Sequence, residues 1–162
     1  MAVRKATIQD LDVLMEIYDT ARKFMAENGN PTQWPEDYPS KKILLEDIEG
    51  KHLYVYERNG EIEGAFVFFI GEDPSYAKID GKWLNDEPYG VIHRIASRQR
   101  VSHVGQSILN YCFTKIKNLR IDTHEDNIPM QNMLKKNGFV YVGEIELLSI
   151  HESRMAFQAV KE

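Results

Sequence analysis

Apolar residues recur at helical spacing in the first part of the chain. After a short strand pattern at residues 3–6, residues 7–10 have the Ser/Thr-x-x-acid form of a helix start. A stripe of apolar side chains then predicts a first helix that runs to about Glu27: Leu11, Leu14, Met15, Tyr18, Ala21 and Met25. The turn residues at 28–31 end this helix, and a loop follows as far as Pro39.

The next segment predicts a helix and then a hairpin. Ser40 can cap a second helix, which ends at Gly50 and carries an apolar stripe of Ile43, Leu44 and Ile48. Residues 52–58 and 61–70 are strand-like runs joined by Asn59-Gly60. This dipeptide indicates a tight hairpin, because both central residues must take a positive φ. Residues 71–88 then read as an irregular insertion rich in turn residues.

Strand and helix patterns alternate in the second half of the chain. Strands are predicted at residues 89–96, 119–123, 139–150 and 154–160, and helices at 104–118 and 127–137. Asn127 can cap the last helix, and Gly138 closes it. Antiparallel hairpins at both ends and a βαβαβ stretch between them predict an α/β fold (mixed α+β), with a mixed sheet and helices on both faces.

Length and composition narrow the class of protein. The 162 residues fit one domain, so we expect residues 1–162 to fold as a unit. The formal net charge of −5 argues against general nucleic-acid binding and against adhesion to anionic lipid. Cys112 stands alone, which excludes an internal disulfide and thiolate-rich zinc sites, and we expect no metal. The N-terminus lacks a signal-peptide pattern, so we expect a soluble cytoplasmic protein without a membrane segment.

The stretch from residue 89 to 105 contains the first candidate chemistry. A strand leads into a polar turn, and the turn ends at Gly105, where a helix opens. Free backbone N–H groups at the positive end of a helix dipole form a ready anion site. A plain strand-to-helix connection would give the same pattern, so this feature alone leaves both interpretations open.

Further motifs make the chain resemble the GNAT superfamily of N-acetyltransferases along almost its whole length. These motifs are residues 93–96 (HRIA) before the glycine turn, residues 120–124 (RIDTH), Asn127 and Gly138-Phe139. The resemblance implies a largely antiparallel sheet of six to seven strands with a central βαβαβ unit, and an acetyl-CoA site. It is closest to small bacterial members whose substrates are unassigned.

The resemblance also assigns cofactor-binding residues. The main chain of Ile95, Ala96 and Ser97 would pair with the pantetheine arm. The family turn, Gln/Arg-x-x-Gly-x-Gly/Ala, would wrap the pyrophosphate. Here Arg100 and Gly105 match that turn, while His103 replaces its first glycine. The full set implied is Ile95, Ala96, Ser97, Arg100, Val101, His103, Val104, Gly105, Gln106, Ser107 and Asn127. For Asn127, a simple helix cap is the alternative role.

The candidate catalytic residues are histidines and one glutamate. The amine acceptor must lose a proton, and the candidate bases are His93, His124 and Glu57. His93 comes first, because it lies on the key strand and imidazole titrates near neutral pH. A structural, hydrogen-bonded His93 is the alternative. The position where the family often has a tyrosine acid holds Leu134.

The acceptor would bind at the variable parts of the chain. Trp34 and Tyr38, with Gln33, lie on the loop after the first helix, while Tyr76 and Trp83 lie in the insertion. These side chains either line a pocket or cover a satellite core. Arg94 would hold an acceptor carboxylate or pair with a nearby acid such as Asp122.

The function implied is transfer of an acetyl group from acetyl-CoA to a primary amine, directly, in a ternary complex. The acceptor would be a small molecule or a peptide, and a homodimer is compatible with the sequence. Backbone N–H groups near residues 95–96 would stabilise the oxyanion. The alternative is a non-catalytic GNAT-fold module that binds CoA or a metabolite. Cys112 is not expected to act as a nucleophile, because it falls at a core-facing helix position.

Overall fold

The computed structural model describes residues 2–162, which form four α-helices and eight strands. The helices are α1 (Leu11–Glu27), α2 (Lys41–Glu49), α3 (Val104–Lys115) and α4 (Ile128–Lys136). The strands are β1 (Ala2–Lys5), β2 (Leu53–Arg58), β3 (Glu61–Ile70), β4 (Asp80–Gly81), β5 (Gly90–Ser97), β6 (Asn118–Thr123), β7 (Val140–Leu147) and β8 (Glu152–Val160). One-turn 3₁₀ segments lie at Ile8–Asp10 and Pro74–Tyr76.

All eight strands belong to one sheet in the order β1-β2-β3-β5-β6-β8-β7-β4. Every neighbouring pair is antiparallel except β5 and β6, which run parallel. The predicted mixed, largely antiparallel sheet is therefore confirmed. Its strand count is eight rather than six to seven, because the insertion adds β4, which pairs with β7 through residues 80–81. Strand β8 lies between β6 and β7, so the last strand of the βαβαβ unit is not adjacent to β6.

Alternation along the strands divides the core between the two faces of the sheet. Leu53 and Val55 of β2 pack in one cluster with residues of α1 and α2. Tyr54 and Tyr56, one position along, pack in the other cluster with residues of α3 and α4. Since successive side chains of a strand point to opposite faces, this pattern puts α1 and α2 on one face and α3 and α4 on the other.

The turn and cap signals of the sequence form as predicted. Asn59 and Gly60 have φ values of 54° and 78° in the β2–β3 hairpin. The Ser40 hydroxyl accepts a hydrogen bond from the Ile43 N–H at 3.2 Å and caps α2. Helix α3 ends at Lys115, three residues earlier than predicted, because Ile116 takes an extended conformation that leads into β6.

The insertion at residues 71–88 is anchored on the sheet. The Arg120 guanidinium of β6 lies 4.2 Å from the ring centre of Trp83 and 4.0 Å from that of Tyr89. Tyr76 is buried and packs in a third cluster with Tyr89 and Val91, with Trp83 against its edge. Tyr76 and Trp83 therefore contribute to a satellite core, which was one of the two predicted roles.

Two further properties follow from the described part of the chain. Within residues 2–162, no helix combines the length and apolar character needed to cross a membrane. Across the same residues, His, Cys, Asp and Glu side chains do not assemble into a group of three or more that could hold a metal ion.

Candidate active site

The two parallel strands separate soon after they meet. Strands β5 and β6 pair at only two positions, Gly90 with Leu119 and Val91 with Arg120. Beyond them, β5 stays beside β3 and β6 stays beside β8. A gap therefore opens in the middle of the sheet, between residues 92–97 of β5 and residues 121–123 of β6.

A β-bulge accompanies the separation. Val67 of β3 pairs with His93 and Ala65 pairs with Ala96, so Arg94 and Ile95 together oppose the single residue Phe66. A bulge of this kind bends its strand and increases the local twist. Arg94 has a φ of +48°, a conformation that costs energy for a residue with a side chain.

The bulge is held by contacts on both the backbone and the side chain of Arg94. The Tyr18 hydroxyl of α1 donates to the Arg94 carbonyl at 2.7 Å. The guanidinium donates to both carboxylate oxygens of Asp47, at 2.8 and 3.0 Å, and to the Tyr38 hydroxyl at 3.1 Å. The acidic partner of Arg94 is thus Asp47 of α2 and not Asp122. These contacts occupy the guanidinium group of Arg94, as the alternative of a local acidic partner predicted.

A cavity of about 620 Å³, here called the helix cavity, lies between α1, β5, the first turn of α3 and the length of α4. It is lined by most of the residues that the sequence assigned to the cofactor: Ile95, Ala96, Ser97, Val101, His103, Val104, Gly105, Gln106 and Asn127. The predicted residues outside this lining are Arg100 and Ser107. Arg100 is bound instead to Glu61 and Glu63 of β3, at 2.6 and 2.7 Å.

His103 occupies the last position before α3 in a left-handed conformation. Its φ of 65° and ψ of 23° belong to the region that glycine adopts most easily. The chain therefore holds His103 in a conformation that glycine favours and accepts a cost of about 1–2 kcal/mol for the side chain. The first turn of α3 contains no acidic residue, so its free N–H groups remain available to an anion.

Gly105 lines the helix cavity and also packs against α4. A Cβ atom added at this position would lie 2.2 Å from the Met133 sulfur of α4. The glycine therefore permits close packing of α3 against α4 at the edge of the helix cavity. Its predicted part in binding the pyrophosphate stays a prediction.

Asn127 connects α4 with the loop after α1. Its side-chain oxygen accepts from the Met130 N–H at 3.2 Å and caps the helix, as the simpler interpretation predicted. Its amide nitrogen donates to the Gln33 side-chain oxygen at 2.9 Å, and Asn30 donates to the same oxygen at 2.8 Å. The loop is thereby tied across the open end of the sheet gap.

A second cavity of about 420 Å³, here called the loop cavity, lies beneath this loop and the insertion. Met25, Ile95 and Met130 line both cavities, so the two spaces meet at β5. The structure brings together here the three predicted substrate residues and the first-choice base: Trp34, Tyr38, Arg94 and His93. Asp73 and Asp122 also line the loop cavity, and neither was among the predicted site residues.

His93 is paired with Asp73 of the insertion. The His93 Nε2 atom lies 2.7 Å from Asp73 Oδ2. Burial acts to raise the pKa of Asp73, but the hydrogen bond and the charge of His93 outweigh it, and the net effect lowers the pKa. Since an ionised carboxylate can only accept, Nε2 carries the proton in neutral His93. The Nδ1 atom is then the basic nitrogen, and among residues 2–162 it has no hydrogen-bond partner.

Asp122 ends β6 on the opposite side of the gap. Its Oδ2 atom accepts from the Tyr76 hydroxyl at 2.6 Å, while Oδ1 has no donor among the described residues. Burial raises the pKa of Asp122, and the His93 charge and the Tyr76 hydrogen bond only partly oppose this effect. Two acidic side chains from different elements thus face one histidine, an arrangement that is frequent at functional sites.

The other two candidate bases lie elsewhere. Glu57 of β2 binds Arg4 at 3.1 Å, and Arg4 also binds Asp10, so Glu57 belongs to a cluster on the β1 side of the sheet. The Nδ1 atom of His124 accepts from the Asp126 N–H at 3.0 Å, in the turn before α4. Neither residue lines the helix cavity or the loop cavity. Leu134 of α4 is fully buried in the core. The position where the family often has a tyrosine therefore holds an apolar side chain that cannot donate a proton.

Comparison with known proteins finds a family model and several solved structures that match this chain. The family model described as the acetyltransferase (GNAT) family matches residues 14–139. A GNAT-family acetyltransferase from Streptococcus agalactiae 2603 is 30% identical, with a TM-score of 0.89 over 99% of this chain and 95% of that chain. A GNAT-family acetyltransferase from Listeria monocytogenes 4b F2365 is 20% identical, with a TM-score of 0.68 over 99% and 94%.

A more distant structure shares the fold alone. GphF, a GNAT-like decarboxylase in complex with isobutyryl-CoA, is 15% identical, with a TM-score of 0.64 over 99% of this chain and 99% of that chain. Among curated proteins, no sequence matches this chain.

Proposed function

Because the chain belongs to the GNAT family of acetyltransferases, we propose that it transfers the acetyl group of acetyl-CoA to a primary amine of a small molecule or peptide. Acyl transfer from a CoA thioester is the general reaction of this family. The observation that carries the finer proposal is the pair of cavities that meet at β5. They give a thioester and an amine separate places on one strand, which supports direct transfer in a ternary complex.

The residues of the helix cavity fit a CoA thioester. The unpaired edge of β5 at residues 95–97 offers main-chain groups to the pantetheine arm. The turn at residues 100–103 and the N-terminus of α3 offer backbone N–H groups to a diphosphate. The Asn127 amide lies at the same cavity. When bound, the thioester supplies an activated acetyl carbonyl.

We assign the base to His93. A primary ammonium ion must lose one proton before its nitrogen can attack the carbonyl carbon, and the unpartnered Nδ1 of His93 accepts it. The new C–N bond forms as the C–S bond breaks. The balanced reaction takes one ammonium ion and one thioester to one amide, one CoA thiol and one proton.

No side chain is assigned to protonate the leaving group. Leu134 holds the position of the usual tyrosine, and its side chain is fully buried. A thiolate is stable enough near neutral pH to leave without a general acid, and water can protonate it afterwards. This absence of an acid is also what favours the second candidate, a module that binds CoA without turnover.

Initial-rate measurements test the proposed function. CoA-thiol release is followed across a panel of primary amines, beside a calorimetric titration with CoA. We expect turnover with at least one amine and intersecting lines in double-reciprocal plots, because both substrates must be bound together. Binding of CoA without turnover of any amine would favour the module, and parallel lines would indicate a covalent intermediate instead of direct transfer.

A further inference from the structure

Both arginines that line the loop cavity are paired with carboxylates of the protein. Arg94 is held by Asp47, and Arg154 is bound to Glu152 at 3.0 Å. Both guanidinium groups are thereby committed to carboxylates of the protein. Among the described residues that line this cavity, the arginines therefore offer no free cation to an acidic ligand.

Two polar atoms of the same cavity have no partner within residues 2–162. One is Nδ1 of His93 on β5, and the other is Oδ1 of Asp122 on β6. Each is fixed by a bond through its other polar atom, His93 by Asp73 and Asp122 by Tyr76. The insertion supplies both fixing residues, so it orients two acceptors that lie on opposite sides of the strand gap.

These two atoms form a receptor for a positively charged nitrogen. A primary ammonium has three N–H donors, and the Nδ1 atom of neutral His93 and the Oδ1 atom of an ionised Asp122 can only accept. Asp73, together with Asp122 in its ionised form, also gives this part of the cavity negative charge, which favours a cation. Apolar and aromatic side chains also line the cavity, among them Trp34, Ile92, Ile121 and Leu147, beside polar ones such as Gln33 and Ser75.

We infer that the acceptor is an ammonium ion on an apolar stem, with no carboxylate next to the nitrogen, and that Asp122 determines this specificity by binding the ammonium beside His93. This inference rests on the proposed function and narrows its acceptor class. An α-amino acid would place its carboxylate near Asp122 and Asp73, and no unpaired arginine of the cavity would compensate the repulsion. Aliphatic or aryl-alkyl amines carry no such charge.

Matched pairs of ligands distinguish simple amines from α-amino acids as acceptors. Pentylamine and norleucine differ only by the carboxylate, and so do 2-phenylethylamine and phenylalanine. We expect the amine of each pair to be acetylated with a kcat/KM at least about 10-fold above that of its amino acid, as the loss of one charge-assisted contact implies. Equal efficiency within both pairs would overturn the inference while leaving the proposed function intact.

The variant Asp122→Asn tests the residue. We expect the KM of the preferred amine to rise roughly 10- to 100-fold, with the KM of acetyl-CoA unchanged. The amide keeps the shape and can still accept from Tyr76, so the fold is retained. Glu125→Gln serves as the matched control, because Glu125 is an exposed carboxylate in the turn after the same strand and lines neither cavity. An unchanged amine KM in Asp122→Asn would overturn the assignment.

A binding measurement keeps the inference testable apart from turnover. Calorimetric titration of 2-phenylethylamine into the complex with CoA, which lacks the acetyl group, measures amine binding alone. Tighter binding to wild type than to Asp122→Asn supports the inference, and equal or absent binding overturns it. If the amine binds through Asp122 yet no amine of the panel is acetylated, the proposed function fails and the cation site stands.

Discussion

Residues of the candidate site are held in states that cost stability. Arg94 has a positive φ on a strand, and Asp122 carries a carboxyl group whose pKa is raised by burial. Each is fixed by neighbours from other elements, Arg94 by Tyr18 and Asp47, and Asp122 by Tyr76. Such costs persist where a geometry is needed for function. Sequence motifs located His93 and Arg94, but no motif marked Asp73, because its role depends on where an irregular insertion folds.

At this scale, Asp73→Asn tests how His93 is oriented. An amide cannot stabilise the imidazolium as a carboxylate does, so we expect kcat to fall by about 10-fold or more, part of the roughly 10²–10⁴-fold that a general base contributes. The KM of acetyl-CoA should stay unchanged. The acidic limb of the pH–rate profile, on which protonation inactivates the base, should move to lower pH, because the carboxylate that stabilises the imidazolium is gone. Loss of packing alone would not produce this shift.

The variant His93→Gln serves as the control and is measured by the same pH–rate profile. His93→Gln should remove the limb altogether while CoA still binds. If Asp73→Asn leaves both kcat and the position of the limb unchanged, Asp73 does not act through His93, and the hydrogen bond between them is structural.

Elements were more predictable than the contacts between them. The periodicity of α1, the Asn59-Gly60 turn and the Ser40 cap are local signals, and each forms where the pattern placed it. The bulge on β5 was not predictable, since it depends on register with β3. Strand β4 was missed for a similar reason, because two residues pair with β7 only once the insertion has folded.

Packing between α3 and α4 carries a prediction for Gly105→Val. The new side chain would collide with the Met133 sulfur, so we expect α4 to be displaced and the free energy of unfolding to fall by about 1–3 kcal/mol. CoA affinity should fall as well, because Asn127 at the start of α4 moves with the helix. Urea unfolding and CoA titration measure the two effects.

The double variant Gly105→Val with Met133→Ala separates two explanations of a lower affinity. Removing the methionine side chain gives the valine room, so stability and CoA binding should both recover in part, beyond the sum of the single effects. If stability recovers while affinity does not, the valine obstructs the ligand directly, and the packing role of Gly105 does not explain its importance.

At the scale of the whole molecule, the sheet divides into two regions that pair with each other at only two positions, between β5 and β6. Strands β1, β2, β3 and β5 lie on one side of the gap, and β6, β8, β7 and β4 lie on the other. Composition and alternation predicted one domain with helices on both faces, and the structure agrees in its fold class. The order of the last strands could not be read from the sequence, because it depends on long-range pairing.

Cys112 reports on the stability of this whole arrangement. It is the single cysteine of the chain, it is fully buried on α3, and burial raises the pKa of its thiol. We therefore expect thiol labelling of the native protein only through opening of the fold. Desulfo-CoA, which has no thiol, should slow labelling about 100-fold at 100 times its dissociation constant, as linkage predicts.

Labelling is followed by mass spectrometry, with the denatured protein as the reactive reference and Cys112→Ser as the blank. Fast labelling of the native protein, unaffected by desulfo-CoA, would show that the thiol is reachable without opening and that ligand binding is not coupled to the fold around α3.

The two-residue junction of β5 and β6 also has a mechanical consequence. Tension applied across the sheet would concentrate on the backbone hydrogen bonds between β5 and β6 at Gly90 and Val91. These two positions are where the two sheet regions pair. A thioester bound in the gap would contact both strands and so reinforce this pairing. In an optical trap, the force needed to unfold the chain should then rise when the ligand is present. The unfolding force would thus report the fraction of molecules that hold the ligand.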